Sequence, residues 1–400
     1  MAKDLTGLFE KFLEKQSLFQ NKEALQSKYT PEEIMHRDEQ IDYVAHILAP
    51  SLRMEKPSNL FVYGKTGTGK TLSIRFILNQ MVAIAKKKNI QLEFLYVNCK
   101  LKKVVDTEYR LIAELARYFG KDIPATGLPT DEVYKIFFKV LDSKKRLFIL
   151  ILDEIDQLVK KVGDEIIYNL TRINGELDNA QLSLIGISND LIFADNLDPR
   201  VKSSLSEEEL VFPPYNALQI QDILRKRSEI AFKEGMINSG VIEKCSAYAA
   251  REHGDARRAL ELLRVSGEIA ERQDKETIDL SCLDMAEEKI ERDRVFDIIK
   301  TQPKQFQAVI YSIFAIRNNG KSVFTGEIYE FYKELCMKTN LRPLTQRRVS
   351  DVIAELDMSG IVNAKVISKG RYGRTREITL TIPKSVKPKI IDMLMEELNI

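Results

Sequence analysis

Tryptophan is absent from this chain of 400 residues, histidine occurs three times and cysteine four times. Cys99, Cys245, Cys282 and Cys336 show neither metal-ligand spacing nor a disulfide framework, and His36, His46 and His253 form no cluster. These absences exclude a Cys/His zinc site and a stapled scaffold, and leave buried thiols as the expectation. Long apolar runs are lacking too. The most continuous, residues 147–152, falls well short of the roughly 20 residues of a membrane span, and no signal pattern opens the chain. A cytoplasmic protein, nucleoid-associated if it binds DNA and with no membrane partner, is expected. An excess of one charge is also missing, with 61 Lys+Arg facing 59 Asp+Glu. That balance hides an asymmetry. Residues 300–400 hold 17 Lys+Arg against 10 Asp+Glu, a net of +7, whereas residues 1–299 sum to −5. A basic end on a mildly acidic body directs nucleic-acid contact to the C-terminus, although a solvated basic face gives the same count. The length calls for two or three domains.

What is present is organised around residues 60–71. Four apolar residues, Leu60 to Tyr63, run into Gly64-Lys65-Thr66-Gly67-Thr68-Gly69-Lys70-Thr71, and an amphipathic stretch over 72–85 follows. Strand, G-x-x-x-x-G-K-T and helix in succession are what a phosphate-binding loop requires. The glycines let the backbone wrap around phosphate oxygens. The helix start offers unpaired N–H groups to the same anion. Lys70 is placed for the β- and γ-phosphates and Thr71 for Mg²⁺.

Ahead of this loop, residues 1–28 read as a polar, amphipathic arm with Leu8, Phe9, Phe12 and Leu13 as a docking face. Pro31 and a helical period through Ile41, Val44, Ala45 and Leu48 follow. Behind the loop, 92–99 reads as a strand. Helices are expected over 107–119 and 130–142, the latter with Thr130 as N-cap. Residues 147–152 and 182–188 are apolar runs suited to strands buried on both faces of a parallel sheet. Strands alternating with helices predict an open α/β sheet whose functional groups gather beyond the strands' carboxyl ends. Pro213-Pro214 breaks the pattern, and only helical periods continue to about residue 300. Helices over 306–317, 325–339 and 345–358 then precede a hairpin of 361–368 against 376–382.

The run 147–152 ends in Asp153-Glu154, the second half of a nucleotide site. Asp153 suits Mg²⁺ and Glu154, one residue on, suits polarising an attacking water. Acids at a helix N-terminus are also favoured by its dipole without further role. Asn189 closes the next strand, where Asn is often a turn former but here could meet a γ-phosphate. Arg200, in Asp-Pro-Arg-Val-Lys-Ser, and Arg257, in Gly-Asp-Ala-Arg-Arg, are further cationic candidates; each alone reads as a surface ion pair. Asp255 is the expected N-cap ahead of Arg257.

Three helices and a basic hairpin read as a winged helix. Val349, Val352, Ile353 and Leu356 turn inward on its third helix. Thr345, Gln346, Arg347, Arg348 and Ser350 remain on the half that enters a major groove. From Asn363 to Arg376 there are five cations, Lys365, Lys369, Arg371, Arg374 and Arg376, and no acid. With Tyr372 they suit phosphate or minor-groove contact. Winged helices also bind proteins; the uncompensated basic hairpin favours DNA.

This ordered set resembles an AAA+ ATPase: Walker A (64–71), Walker B (147–154), a sensor-one Asn189, an arginine-finger-like Arg200 and a sensor-two Arg257. More narrowly it resembles the archaeal replication initiators of the origin-recognition-complex and cell-division-cycle-six type. That match rests on His-Arg-Asp-Glu-Gln-Ile (36–41), Leu-Asp-Glu-Ile-Asp (152–156), Asp-Pro-Arg-Val-Lys-Ser-Ser (198–204), Gly-Asp-Ala-Arg-Arg-Ala-Leu (254–260) and the winged-helix pattern. The resemblance implies an arm (1–28), an α/β base with a parallel sheet (29–212), an all-α lid (213–298) and a winged-helix domain (299–400). It implies an ATP/ADP site with Mg²⁺ in which Ile34, Met35, His36, Arg37, Tyr215 and Ile223 border the adenine and Arg257 reports nucleotide state. Arg200 would act on ATP in a neighbouring protomer, or on none in a monomer. Residues 102–120 align with an initiator-specific insertion that contacts DNA, through Lys102, Lys103 and Arg110. The implied partners are double-stranded origin DNA, the replicative MCM helicase and paralogous initiator subunits, with slow ATP hydrolysis as a switch. A clamp-loader-like AAA+ machine and a nucleotide-sensing winged-helix transcription regulator are the alternatives.

Overall fold

The computed structural model describes residues 16–100, 107–124, 126–205, 207–316, 323–368, 374–382 and 386–400. They divide into two compact units, 1–283 and 284–400.

In the first unit five parallel strands, β1 (Leu60–Tyr63), β2 (Leu92–Asn98), β3 (Arg146–Asp153), β4 (Ala180–Ser188) and β5 (Glu208–Val211), lie in the order β2-β3-β4-β1-β5. Helices α1 (Asp38–Leu48), α2 (Lys70–Lys88), α3 (Glu108–Tyr118), α4 (Thr130–Leu141), α5 (Ile155–Val162), α6 (Glu165–Arg172) and α7 (Pro199–Leu205) connect them. All eight residues of β3 are buried, as a strand covered on both faces requires. Its side chains alternate between two cores. Phe148, Leu150 and Leu152 pack with Leu111 and Leu115 of α3 and Phe137 of α4. Ile149 and Ile151 pack with Ile74 and Ile77 of α2 and Val44 and Leu48 of α1. The parallel register sets Asp153 beside Ile187 and Val62 beside Ile187. Gly64, Asp153 and Asn189 therefore emerge together at the carboxyl edge of the sheet. Thr130 begins α4 itself, and Pro129 holds the cap position.

Three helices follow β5: α8 (Ala217–Ala231), α9 (Val241–Arg251) and α10 (Ala256–Arg272). Asn216 and Gln219 form a reciprocal capping box on α8. The Asp255 side chain caps α10 by accepting from the N–H groups of Arg257 and Arg258. Residues 16–28 dock on these helices. Phe19 stacks on Phe232 with ring centroids 4.7 Å apart. Ser17 Oγ and Leu18 N donate to Glu271 at 2.6 and 2.9 Å, and Lys22 pairs with Glu268 at 2.8 Å. Residue 267 is glycine because a Cβ there would lie 2.6 Å from the Phe19 ring. Leu8, Phe9, Phe12 and Leu13 lie outside the described residues.

Helix α11 (Leu280–Lys300) carries the division between the units, which falls after Leu283, whereas the sequence reading sets the domain change at 298/299. The second unit continues with α12 (Lys304–Ile316), α13 (Thr325–Lys338) and α14 (Gln346–Met358), an antiparallel sheet β6 (Val323–Phe324), β7 (Val362–Ser368) and β8 (Arg374–Leu380) in the order β6-β8-β7, and α15 (Lys387–Leu398). Val349, Val352, Ile353 and Leu356 of α14 are buried against Ile310, Tyr332 and Ile390, as their spacing predicts. The expectation of three helices and a hairpin omits β6 and α15. A two-residue strand has no period to read, and α15 opens on Lys387-Pro388, where proline begins a helix rather than breaking one.

Candidate functional site

The loop after β1 turns on two glycines in left-handed conformation, Gly67 (φ 71°) and Gly69 (φ 91°). Gly67 also meets a neighbour. A Cβ on it would lie 1.7 Å from Asp255 Oδ1 of the α10 cap, and Ala256 N donates to the Gly67 carbonyl at 3.3 Å. The phosphate loop and the start of α10 are thus in direct backbone contact. Lys70, the first residue of α2, folds back over the loop. Its Nζ donates to the carbonyls of Gly64 and Lys65, both at 2.7 Å, and to Asn189 Oδ1 at 2.9 Å. Burial pushes this ammonium down to about 8; Asp153 opposes the shift and Arg257 adds to it.

The acids at the end of β3 separate by role. Thr71 Oγ1 donates to Asp153 Oδ2 at 2.8 Å, and the Tyr96 hydroxyl of β2 donates to the same oxygen. Two hard oxygens facing each other suit Mg²⁺ by donor chemistry, so these residues fit the cation. Glu154 adopts a left-handed backbone (φ 56°). Asn98 Nδ2, at the end of β2, lies 3.5 Å from Glu154 Oε1, and Lys100 Nζ lies 3.7 Å from Oε2. Asp156 is buried and accepts from Ser188 Oγ at 3.3 Å. Ser188 Oγ in turn accepts from Asp190 N at 3.0 Å. The backbone on both sides of Asn189 is held in this way.

Beside the loop is a cavity of about 410 Å³. Ile34, Met35, Gly67, Gly69, Thr71, Leu72 and Arg75 line it together with Tyr215, Ile223, Arg257 and Leu260 from the segment after β5, and Tyr29. Of the residues expected around a base, Ile34, Met35, Tyr215 and Ile223 are placed there, and Arg257 joins them. His36 and Arg37 are not in the lining. His36 Nε2 lies 3.1 Å from Asp222 Oδ2 of α8. Arg37 is 2% exposed and donates to the carbonyls of Thr68 (2.8 Å), His36 (2.9 Å) and Pro213 (2.6 Å). Its guanidinium lies 3.7 Å from the Tyr215 ring centroid. Arg37 is thus a strut between the phosphate loop and the connection to the lid, because its fork satisfies carbonyls on both sides. Arg200 also stands apart. It pairs with Asp198 at 3.1 Å, its side chain is 76% exposed, and it does not line the cavity.

On α14, Thr345 caps the helix by accepting from Arg348 N at 3.4 Å, and Gln346 and Arg347 are exposed. Arg348 faces Asp351 and Glu355 at 3.9 and 3.7 Å. Ser350 Oγ donates to the Gln346 carbonyl at 3.0 Å. Arg376, expected as a DNA contact, is half-buried and donates to the Ser350 carbonyl at 2.7 Å. It braces β8 against α14, because its position opposite Val366 directs the side chain over that helix. Lys365 is exposed and sits in register with Glu377. Arg374 opens β8, its side chain being outside what is described, and Arg110 is exposed on α3. Lys102, Lys103, Lys369, Arg371 and Tyr372 lie outside the described residues.

Sequence reasoning missed Asn98 and Tyr96, since a polar residue ending a strand and a tyrosine within one carry no signal of their own. It missed Tyr29, ahead of α1, and Arg75, on α2, as well.

Comparison with known proteins agrees with this geometry. An AAA domain model matches residues 53–191, a Cdc6 AAA+ ATPase-type lid domain model 221–288, and a CDC6 C-terminal winged helix domain model 297–386. The ORC1-type DNA replication protein of Thermococcus onnurineus is 54% identical over 389 residues, covering 96% of this chain and 93% of that protein. ORC1-type DNA replication protein 1 of Archaeoglobus fulgidus is 48% identical over 386 residues, covering 96% and 93%. Among solved structures, the Aeropyrum pernix ORC1 protein in complex with DNA superposes with a TM-score of 0.84 at 44% identity, covering 96% of this chain and 98% of that one. An AAA+ base, a helical lid and a winged helix in one chain, with this level of identity along nearly its whole length, establish that the chain belongs to the ORC1-type DNA replication proteins.

Proposed function

We propose that this protein binds origin DNA, helps recruit or load the replicative MCM helicase, and uses ATP binding and hydrolysis as a conformational switch. The observation that carries the nucleotide part is the convergence of Lys70, Thr71, Asp153, Glu154 and Asn189 at one sheet edge beside a lid-covered cavity. The loop amides and Lys70 would hold the phosphates, with Thr71 and Asp153 holding Mg²⁺, which supplies charge neutralisation at the β- and γ-phosphates. Glu154 would accept a proton from water as its oxygen attacks the γ-phosphorus and ADP leaves. Asn98 would keep that carboxylate aimed. Asn189 and Arg257 would contact the γ-phosphate, Arg257 from the lid, so loss of phosphate loosens the lid. Arg200, exposed and away from its own cavity, suits ATP bound by a neighbouring copy or a paralogue.

The DNA part rests on the exposed Gln346 and Arg347 at the start of α14, on Lys365, and on the DNA complex of the Aeropyrum pernix relative. Lys102, Lys103 and Arg110 would add contacts from the base, and Lys369, Arg371, Tyr372 and Arg374 from the hairpin tip. Helicase loading rests on family membership. The test is a pair of variants. Lys70→Ala should abolish ATP binding while sparing DNA affinity, and Arg347→Ala should weaken DNA binding while sparing ATP. Nucleotide binding retained by Lys70→Ala would overturn the assignment.

A further inference from the structure

The carboxylate expected to hold the divalent cation accepts from the Glu154 N–H through Oδ1 at 3.0 Å, and its Oδ2 has a partner that no motif contains. Asp153 Oδ2 accepts from Thr71 Oγ1 at 2.8 Å and from the Tyr96 hydroxyl. Tyr96 lies on β2, in register with Ile151 of β3, so the sheet brings its ring alongside Asp153. The ring is itself clamped. The Arg75 guanidinium of α2 lies 4.0 Å from its centroid. Arg75 also lines the nucleotide cavity, and α2 begins at Lys70.

We infer that Tyr96 is a positioning residue for the divalent cation: it fixes the Asp153 carboxylate so that the other oxygen directions remain available next to the Thr71 hydroxyl. This rests on the nucleotide-site reading above. A carboxylate that binds metal without an outer hydrogen bond rotates, and losing such a bond typically lowers metal affinity 10- to 100-fold. Tyr96 does not touch phosphate or water in this account. Its effect should appear in the cation dependence alone.

The experiment uses the full chain carrying Tyr96→Phe, which keeps the ring and the Arg75 contact and removes one oxygen. A fluorescent ADP analogue is titrated first in EDTA, then at fixed concentration with MgCl₂. The expected result is unchanged affinity in EDTA and a Mg²⁺ midpoint raised about tenfold. Combining Tyr96→Phe with Asp153→Asn should raise the midpoint no further than Asp153→Asn alone, because the two act through one oxygen. A Tyr96→Phe midpoint within twofold of the parent overturns the inference, and so does an equal loss of affinity with and without Mg²⁺. Failure of the underlying nucleotide site looks different, since the parent protein would then bind the analogue no better than Lys70→Ala does.

Discussion

Lys70 offers a quantitative test, because its burial places a titration inside the accessible pH range. Lys70 is 4% exposed, and burial lowers its ammonium from 10.5 to about 8. A polyphosphate beside it favours the charged form, so nucleotide binding should take up protons wherever free Lys70 is partly neutral. With a free value of about 8, roughly 0.5 proton is taken up at pH 8 and about 0.9 at pH 9, and affinity falls by about twofold and tenfold relative to pH 6.5. Phosphate ionisation does not confuse the reading, since its second step near pH 6 is complete by then. The assay is calorimetry of ATP binding in buffers of different ionisation heat between pH 7 and 9.5. Affinity that is flat across that range, with no buffer dependence, would refute the placement of Lys70. Stability of the protein without nucleotide follows the opposite limb. The folded form binds fewer protons than the unfolded chain between about 8 and 10.5, so the burial cost of about 3 kcal/mol is fully present below pH 8. It is relieved as pH rises through that window, and urea midpoints should rise there by more than in Lys70→Met.

Glu154→Gln should keep ATP bound and stop hydrolysis, measured by filter retention and phosphate release; unchanged turnover would remove Glu154 as the base. Asn98→Ala should lower turnover about 10-fold or more with nucleotide affinity unchanged, as expected when a base loses its orienting partner; a raised Kd instead would assign Asn98 to binding. Gly67→Ala should weaken nucleotide binding and lower the melting temperature, because its Cβ would occupy the space of the Asp255 carboxylate at a backbone conformation that L-residues rarely adopt; a variant indistinguishable from the parent would deny the loop–lid contact. Arg347→Ala should reduce the slope of log affinity against log salt by about 0.9. Arg376→Ala should weaken DNA binding with that slope unchanged, since the guanidinium bonds Ser350 rather than phosphate.

Much of the base was legible because its signals are local. The all-buried β3 shows as an uninterrupted apolar run, and the phosphate loop is spelled in eight consecutive residues, so Asp153, Glu154 and Asn189 could be set at strand ends before any geometry. Arg257 followed from the cap at Asp255. What was hidden depends on contacts distant in sequence. Asn98 and Tyr96 come within reach of Glu154 and Asp153 only when β2 pairs with β3. Residues 16–28 dock on helices more than 200 positions away, through Phe19–Phe232 and Ser17–Glu271, and nothing in their own pattern names that partner. The family resemblance sets Arg37 beside the adenine and the basic hairpin sets Arg376 on DNA; neither context signals the backbone carbonyls that each one bonds. Arg37 is buried and Arg376 half-buried, and each guanidinium donates to backbone carbonyls.

The central claim, that a nucleotide-binding AAA+ base and a basic winged helix serve replication initiation, is tested most directly by mapping the protein's bound DNA across its genome alongside replication start sites. The account predicts that occupancy concentrates where replication begins and that Arg347→Ala depletes it there. Occupancy spread over promoters, with none enriched at replication starts, would contradict it and favour a transcription regulator.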